Sequence, residues 1–260
     1  MARYVPLSRK QHMAKTWTPP ETYAFAAAET VVPAVGLELG MVAASMPMGF
    51  VKRGEKFQLV ALLSRNAGTN LFIGPDGRWV AGDYVPAYFR CYPFKALLRT
   101  GESPGTEPKL TVCVDEASGA IGDDPGGKAL FEADGTPAQS VREMVTFLTA
   151  LERSRQVTQL ATDALAEAAL LAPWPLKAAK GVAPIGGVFR IDESLLTALD
   201  DAAFLKLRKA GALAVAYAQL LSMPRLERLA QLEVVRRNLP TGSRTLLDIL
   251  SGTDNDTLQF

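Results

Sequence analysis

Asn70-Leu-Phe-Ile-Gly-Pro-Asp-Gly-Arg-Trp79, running on to Tyr84-Val-Pro-Ala-Tyr-Phe-Arg90-Cys-Tyr-Pro-Phe94, is the stretch on which the reading of this chain turns. It gathers seven of the chain's twenty aromatic residues: Phe72, Trp79, Tyr84, Tyr88, Phe89, Tyr92 and Phe94. A short apolar strand ends at Ile73, and Pro75-Asp76-Gly77 is turn chemistry. Proline presets φ, aspartate caps the turn, and glycine takes the positive φ. Trp79 then begins the return strand of a hairpin. Two readings of the run stand side by side. In one, Trp79, Tyr84 and Tyr88 form a sheet face packed on helices, with Arg90 paired to Glu38 or Asp83. In the other, the rings floor a groove and Arg90 is a fork for a carboxylate or phosphate. Glu38, Asn70, Trp79, Asp83, Tyr84, Tyr88, Arg90 and Tyr92 are the candidate ligand-binding residues of that groove.

Working outward, residues 1–20 read as an extended arm that ends at Pro19-Pro20 and carries the single histidine, His12. Ala34 to Ala44 suits a short helix that holds Glu38 among apolar neighbours, and Pro47 stops it. Phe50-Val51 and Phe57 to Leu63 read as strands around the polar turn Lys52-Arg53-Gly54-Glu55. Residues 100–108 are a loop by every local signal, Leu110 to Val114 is a β-branched strand, and Asp123 to Gly127 is another loop. Ala129 to Phe131 is a short strand.

The character changes at Thr136-Pro137, a good helix start, with threonine as cap and proline in the first helical position. Apolar residues from Val141 to Leu171 keep helical spacing, with a polar interruption near Ser154-Arg155 that leaves one bent helix or two. Pro173 and Pro175 end it. Gly181 to Gly187 reads as a linker, Val188 to Ile191 as one more strand, and Asp192 as the cap of a helix from Glu193 to Leu199. Asp201 to Leu221 is read as one strongly apolar helix, broken by Ser222-Met-Pro224 before a last amphipathic helix to Arg237. The tail from Ser251 is polar. No repeat interrupts this order. The expected fold is α+β in a single domain: a mostly antiparallel β half to residue 135, packed against a helical half from 136 to 250.

Composition narrows function by exclusion. Apolar residues make up 48% and charged residues 21%, as in an ordinary folded protein. With 28 basic and 27 acidic residues the net charge is +1, and no basic stripe marks a nucleic-acid binder. Cys91 and Cys113 are read as reduced and buried, because a core of this size needs no staple. One histidine and two distant cysteines are a poor supply for a transition-metal site, and nothing near His12 in sequence helps to build a Ser-His-Asp or Cys-His arrangement. Asp123-Asp124 and Asp254-Asn255-Asp256 lack the spacing of a calcium loop. No phosphate-binding glycine motif occurs, so neither metal nor cofactor is expected. No apolar run reaches the roughly 20 residues of a bilayer span. Gln11, His12, Lys15 and Thr16 interrupt what would be a leader's apolar stretch, so a cytoplasmic location is expected, with leaderless export left open.

Tyr23-Ala-Phe-Ala26, Glu38, Met46-Pro-Met-Gly-Phe50, Val60-Ala-Leu-Leu63, Asn70-Leu-Phe72, Gly77-Arg-Trp79, Tyr84-Val-Pro-Ala87, Arg90-Cys-Tyr-Pro-Phe94 and Leu130-Phe-Glu-Ala-Asp-Gly135 follow one another in order. Leu165 to Leu171 and Gly211-Ala-Leu213 with Tyr217-Ala218 complete the series. In these residues the chain resembles the SapC-like family of soluble bacterial proteins. It departs where the family more often shows arginine, at Cys91, and histidine, at Gln219. The resemblance implies an association with bacterial surface-layer genes, and with products encoded near outer-membrane receptors and flavin-dependent halogenases or oxygenase-like proteins. It implies no activity. The resulting expectation is a non-enzymatic binding or accessory protein that recognises a peptide or protein partner through residues 70–94. The alternative is an enzyme or enzyme subunit modifying peptides or small organic acids, with Glu38 and Asp83 beside Arg90. The apolar helix 201–221 is the candidate surface for a homo-oligomer.

Overall fold

Met48–Arg53 and Lys56–Leu62 pair along their whole length as an antiparallel hairpin. Met48 to Val51 and Leu59 to Leu62 are buried without alternation, as in strands covered on both faces. In this computed structural model, which describes residues 2–80, 82–99, 109–177 and 184–238, the hairpin is the middle of a five-stranded antiparallel sheet. The order across it is Leu171–Pro173, Val188–Ile191, Met48–Arg53, Lys56–Leu62 and Val31–Pro33. Both edge strands end in proline, Pro33 and Pro173. A proline has no N–H to offer, so each edge is blunted against a further strand.

The fold is α+β, and its strands come from both ends of the sequence. The chain forms two compact units whose segments interleave. One comprises residues 1–21, 35–37 and 86–160; the other comprises 22–34, 38–85 and 161–260. The five-stranded sheet belongs to the second unit, with Phe50, Leu59, Leu62, Leu63, Phe72 and Ile191 among its fully buried side chains.

The helix Ala212–Ser222 packs on that sheet. Its two polar side chains, Gln219 and Ser222, are both fully buried. Gln219 accepts from Ile191 N at 2.9 Å and donates to Met48 O at 3.1 Å, while Ser222 Oγ accepts from Met48 N at 2.8 Å. Main-chain groups that the ladder leaves unpaired are thus satisfied from the helix, as buried polar groups must be.

The first unit holds two small antiparallel sheets: Tyr4–Pro6, Lys109–Asp115 and Phe94–Arg99 in one, Ile121–Gly122, Thr16–Trp17 and Lys128–Ala129 in the other. Trp17, Phe94, Val114, Leu130, Val141, Leu148 and Leu151 form its core, with Trp17 edge-on to Phe94 at 5.0 Å.

Several local expectations change. The first twenty residues are woven into both small sheets and are no free arm, and His12, in the helix Arg9–His12, is only 1% exposed. Its Nδ1 lies 3.2 Å from Ser8 N, and its Nε2 lies 3.2 Å from Glu116 Oε1, close enough for an ion pair but out of line for a hydrogen bond. The long helix is continuous over Gln139–Glu167 and starts after Thr136-Pro137. Asp134 Oδ1 accepts from both Thr136 N and Thr136 Oγ1, so the threonine is occupied in the preceding turn. Those two bonds hold the Asp134 carboxyl below the usual carboxylate range.

The polar interruption at Ser154 is no break. Ser154 Oγ accepts from Leu37 N at 2.9 Å and Thr158 Oγ1 from Gly36 N at 2.7 Å, capping the start of the turn Gly36–Glu38. The stretch 201–221 is two helices, Asp201–Lys209 and Ala212–Ser222, because Gly211 at φ +70° takes the left-handed conformation between them. Cys91 and Cys113 are not joined in a disulfide, and both are buried, as expected. The loop 100–108, part of the linker 181–187 and the tail from Ser251 lie outside the described residues.

Candidate functional site

Asn70 sets the aromatic loop. Its side chain is fully buried, donates to Ala26 O at 3.2 Å and accepts from Phe72 N at 3.0 Å. Asparagine does this because one short amide can both donate and accept beside its own backbone. The turn follows as its residues predict: Gly74 N donates to Arg78 O at 2.8 Å, Asp76 Oδ1 accepts from Arg78 N, and Gly77 stands at φ +76°. The return strand does not form. Ile73 and Trp79 make a single antiparallel bridge, and after Val80, whose N–H donates to Phe72 O, the chain leaves the ladder. The ribbon expected over 70–94 is therefore a tight loop and, separately, a short helix, Ala87–Arg90.

Four rings make a row in the second unit. Trp79 stacks on buried Phe72 with centroids 5.5 Å apart and planes 14° from parallel. Tyr23 meets Trp79 edge-on at 5.6 Å, and Phe25 lies 6.1 Å beyond Tyr23. Tyr23 N donates to Gly77 O at 2.7 Å, which ties the two segments together at the turn. The row runs from a buried end at Phe72, through half-buried Trp79 and Tyr23, to exposed Phe25. Tyr23 and Phe25 entered the sequence reading only at the head of the family series; nothing there announced that they meet Trp79.

Glu38 stands at the N-cap position of the helix Leu39–Ser45, without a capping bond from its side chain, and is only 3% exposed. The Tyr84 phenol donates to Glu38 Oε2 at 3.0 Å, and Tyr84 N donates to Ser45 Oγ at 3.1 Å, so the ring is fixed at both ends. Asp83 accepts from Arg228 Nη2 at 2.8 Å, a partner from the far end of the sequence.

The last helix, Leu226–Asn238, supplies more such contacts that residue patterning did not reveal. Glu233, 7% exposed, receives a forked pair from Arg65, with Nε to Oε1 at 3.1 Å and Nη2 to Oε2, and also accepts from Asn66 at 3.3 Å. Arg236 Nη1 donates to Asn70 O at 2.9 Å and reaches Ile73 O at 3.4 Å.

The remaining candidates belong to the first unit. Tyr88 is half-buried against that unit's core; the hydrogen bonds that Arg155 donates to Glu152 hold its guanidinium above the ordinary arginine range, with a smaller push from Tyr88. Arg90 is exposed, with its guanidinium over the Phe147 ring at 5.1 Å. The Tyr92 hydroxyl donates to Asp115 Oδ2 at 3.3 Å, and burial together with that carboxylate pushes its phenol up. Tyr4 is pushed up to about 12 by burial and by the same Asp115. Asp115 is buried and also accepts from Arg3 N at 2.7 Å and Ala117 N at 3.1 Å.

The eight candidates thus divide by unit. Glu38, Asn70, Trp79, Asp83 and Tyr84 lie in one; Tyr88, Arg90 and Tyr92 lie in the other. Among the described residues no three His, Cys, Asp or Glu side chains converge as a metal site would require. No described helix is long and apolar enough to cross a membrane. The chain matches no curated protein and no solved structure. A family model, SapC, matches residues 7–229, a span that includes both halves of the aromatic run and all eight candidate residues. By that match, and with the residue series read from Tyr23 to Ala218 inside it, the chain belongs to the SapC family.

Proposed function

We propose that this protein is a non-enzymatic binding or accessory protein that recognises a peptide or protein segment through the aromatic loop. The observation that supports this most is the row Phe72–Trp79–Tyr23–Phe25. It is a set of rings in contact, one pair stacked and the next edge-on, with one end locked in the core and the other at the surface, on a loop braced by buried hydrogen bonds. Rigid rings that present an apolar body and a polar tip give contact area at little cost in side-chain entropy. Asp83 and Tyr84, on the same loop, are anchored by Arg228 and Glu38 and act as its supports. Arg90, Tyr88 and Tyr92 keep the role of a second contact region on the first unit. A link to surface-layer or outer-membrane uptake systems, and a cytoplasmic location, are part of the proposal through the family; cell fractionation with immunodetection tests the second.

The binding test is selection of a displayed peptide library on the full chain, followed by calorimetry with enriched peptides. Wild type binds them, and Trp79→Ala and Phe25→Ala weaken binding at least about tenfold with the melting temperature of Phe25→Ala unchanged. No enrichment, or equal affinity for all three proteins, rejects the reading.

A homo-oligomer is the second part of the proposal, and one observation favours it. The helices Leu39–Ser45 and Ala212–Ser222 pack against each other and contain no charged residue. They expose Met41 (58%), Tyr217 (47%) and Leu221 (76%). A face without charge meets no like charge when laid on its symmetry mate, so a second copy is the occupant it suits. The interface therefore centres on the second half of the stretch 201–221 together with the helix that carries Met41. Sedimentation velocity gives a dimer for wild type and a monomer for Leu221→Arg; a wild-type monomer at all concentrations rejects it.

A further inference from the structure

We infer that the helix Leu226–Asn238 is a charge-fastened strap, which holds the aromatic loop in its present conformation and can let it go without unfolding the sheet beneath. From Asn66 to Val80 the loop's own bonds are local: the Ile73–Trp79 bridge, Gly74 N to Arg78 O, Val80 N to Phe72 O and the turns at Asn70 and Asp76, while its two ends and its outer main chain lean on neighbours. Much of that dependence falls on the helix. Arg228 takes Asp83, Glu233 takes Arg65 and Asn66, and Arg236 takes the carbonyls of Asn70 and Ile73. Both ends of the loop and its middle are thus held by side chains from three successive turns of one helix. Arg236 grips main chain, so the loop's own side-chain chemistry does not set this contact.

The helix's apolar grip is narrow by comparison. Leu229 and Leu232 are its fully buried apolar residues, while Gln231, Val234, Arg237 and Asn238 face water. The sheet is built differently: its inner strands are buried on both faces and pair along the hairpin's full length. An element fastened mainly by a few directional contacts opens at lower free energy than one that carries a broad apolar face. Removing those contacts is therefore expected to free the loop locally. As a device, the strap makes presentation of the aromatic row depend on whether the helix is engaged. That regulatory meaning rests on the binding role proposed for the loop; the strap itself does not.

Hydrogen exchange on the full, unliganded chain, read by mass spectrometry, tests the strap alone. In the double variant Glu233→Gln/Arg236→Ala, the amides of Phe72, Gly74 and Val80 exchange about tenfold faster or more, while those of Phe50, Leu59 and Leu62 keep wild-type rates. Arg228→Ala is the milder variant, and it quickens only the Asp83 end of the loop. Two results overturn the inference: loop amides unchanged in both variants, or sheet amides quickened by the same factor as the loop. The measurement needs no peptide, so its failure leaves the binding reading standing, and failure of the peptide selection leaves the strap standing.

Discussion

The two halves of the aromatic run are held by different means. Residues 70–80 set buried apolar side chains, Leu71, Phe72, Ile73 and Val80, beside polar fasteners: Asn70 inside the loop and Arg236 from the helix Leu226–Asn238. Residues 87–94 are fixed by apolar burial, with Ala87, Cys91 and Phe94 in the core of the first unit and the Tyr92–Asp115 contact added at its margin. In sequence they look like one ribbon of rings. The difference teaches that aromatic density along a chain does not identify a common surface, because each ring follows whichever core its neighbours join. It also separates the two in energy. Deleting buried apolar volume carries a transfer and a cavity cost, whereas deleting a polar contact costs the group left unpaired.

The sharpest break of the comparison is Phe94→Ala. Phe94 is buried and edge-on to Trp17, so its loss is expected to cost about 3–5 kcal/mol, read as a lowered urea midpoint. A cost below about 1 kcal/mol would show that this half is not anchored by its core. Asn70→Ala comes next. It strands Phe72 N in a fully buried setting and takes one of two donors from Ala26 O, for roughly 1–3 kcal/mol. Its effect should appear as faster exchange around Leu71 to Ile73. Tyr92→Phe removes one half-buried hydroxyl contact to Asp115 and is expected to cost about 1 kcal/mol by the same denaturation measurement. If Tyr92→Phe proved costlier than Phe94→Ala, the assignment of apolar anchoring to this half would be reversed.

Much of the fold was legible because local chemistry and tertiary demand agree there. The hairpin around Gly54, the stop at Pro47 and the Asp192 cap, which accepts from Ser194 N and Leu195 N, each need only residues a few positions apart. What escaped was set at a distance. Gly211 sits inside an apolar run whose spacing hides a break, so 201–221 reads as one helix. Leu171–Pro173 is too short and proline-bound to look like a strand until Val188–Ile191 lies beside it. Of the site, Trp79 and Tyr84 were found by ring density, but Tyr23 and Phe25 join Trp79 from more than fifty positions upstream. The charged residues of the last helix looked like a solvated face, yet Glu233 is buried because Arg65 and Asn66 satisfy it. Gln219 was noted only as a departure from the pattern the family resemblance implied, and nothing in its surroundings in sequence showed that its amide donates to one strand and accepts from another.

The smallest effect separates the halves by pH. Tyr4 pairs in register with Asp115, and burial with that carboxylate lifts its phenol from an ordinary 10.0 to about 12. An acid whose folded pKa lies above its unfolded one favours the folded state while protonated. That contribution is complete below pH 10 and is lost as pH rises toward 12, where ionisation in the folded state would set a phenolate beside a buried carboxylate. Tyr92, pushed the same way by the same partner, adds to the loss in the same direction. The first unit should therefore weaken as pH climbs from 10 toward 12. Tyr4→Phe removes the larger of the two phenols, so the slope of stability against pH between 9.5 and about 12 should flatten in the variant. Exchange rates of Val114 and Phe94 amides across that window, in wild type and variant, make the measurement. Parallel slopes in the two proteins would mean that Asp115 does not burden Tyr4 and that its buried charge is balanced by the Arg3 and Ala117 amides alone.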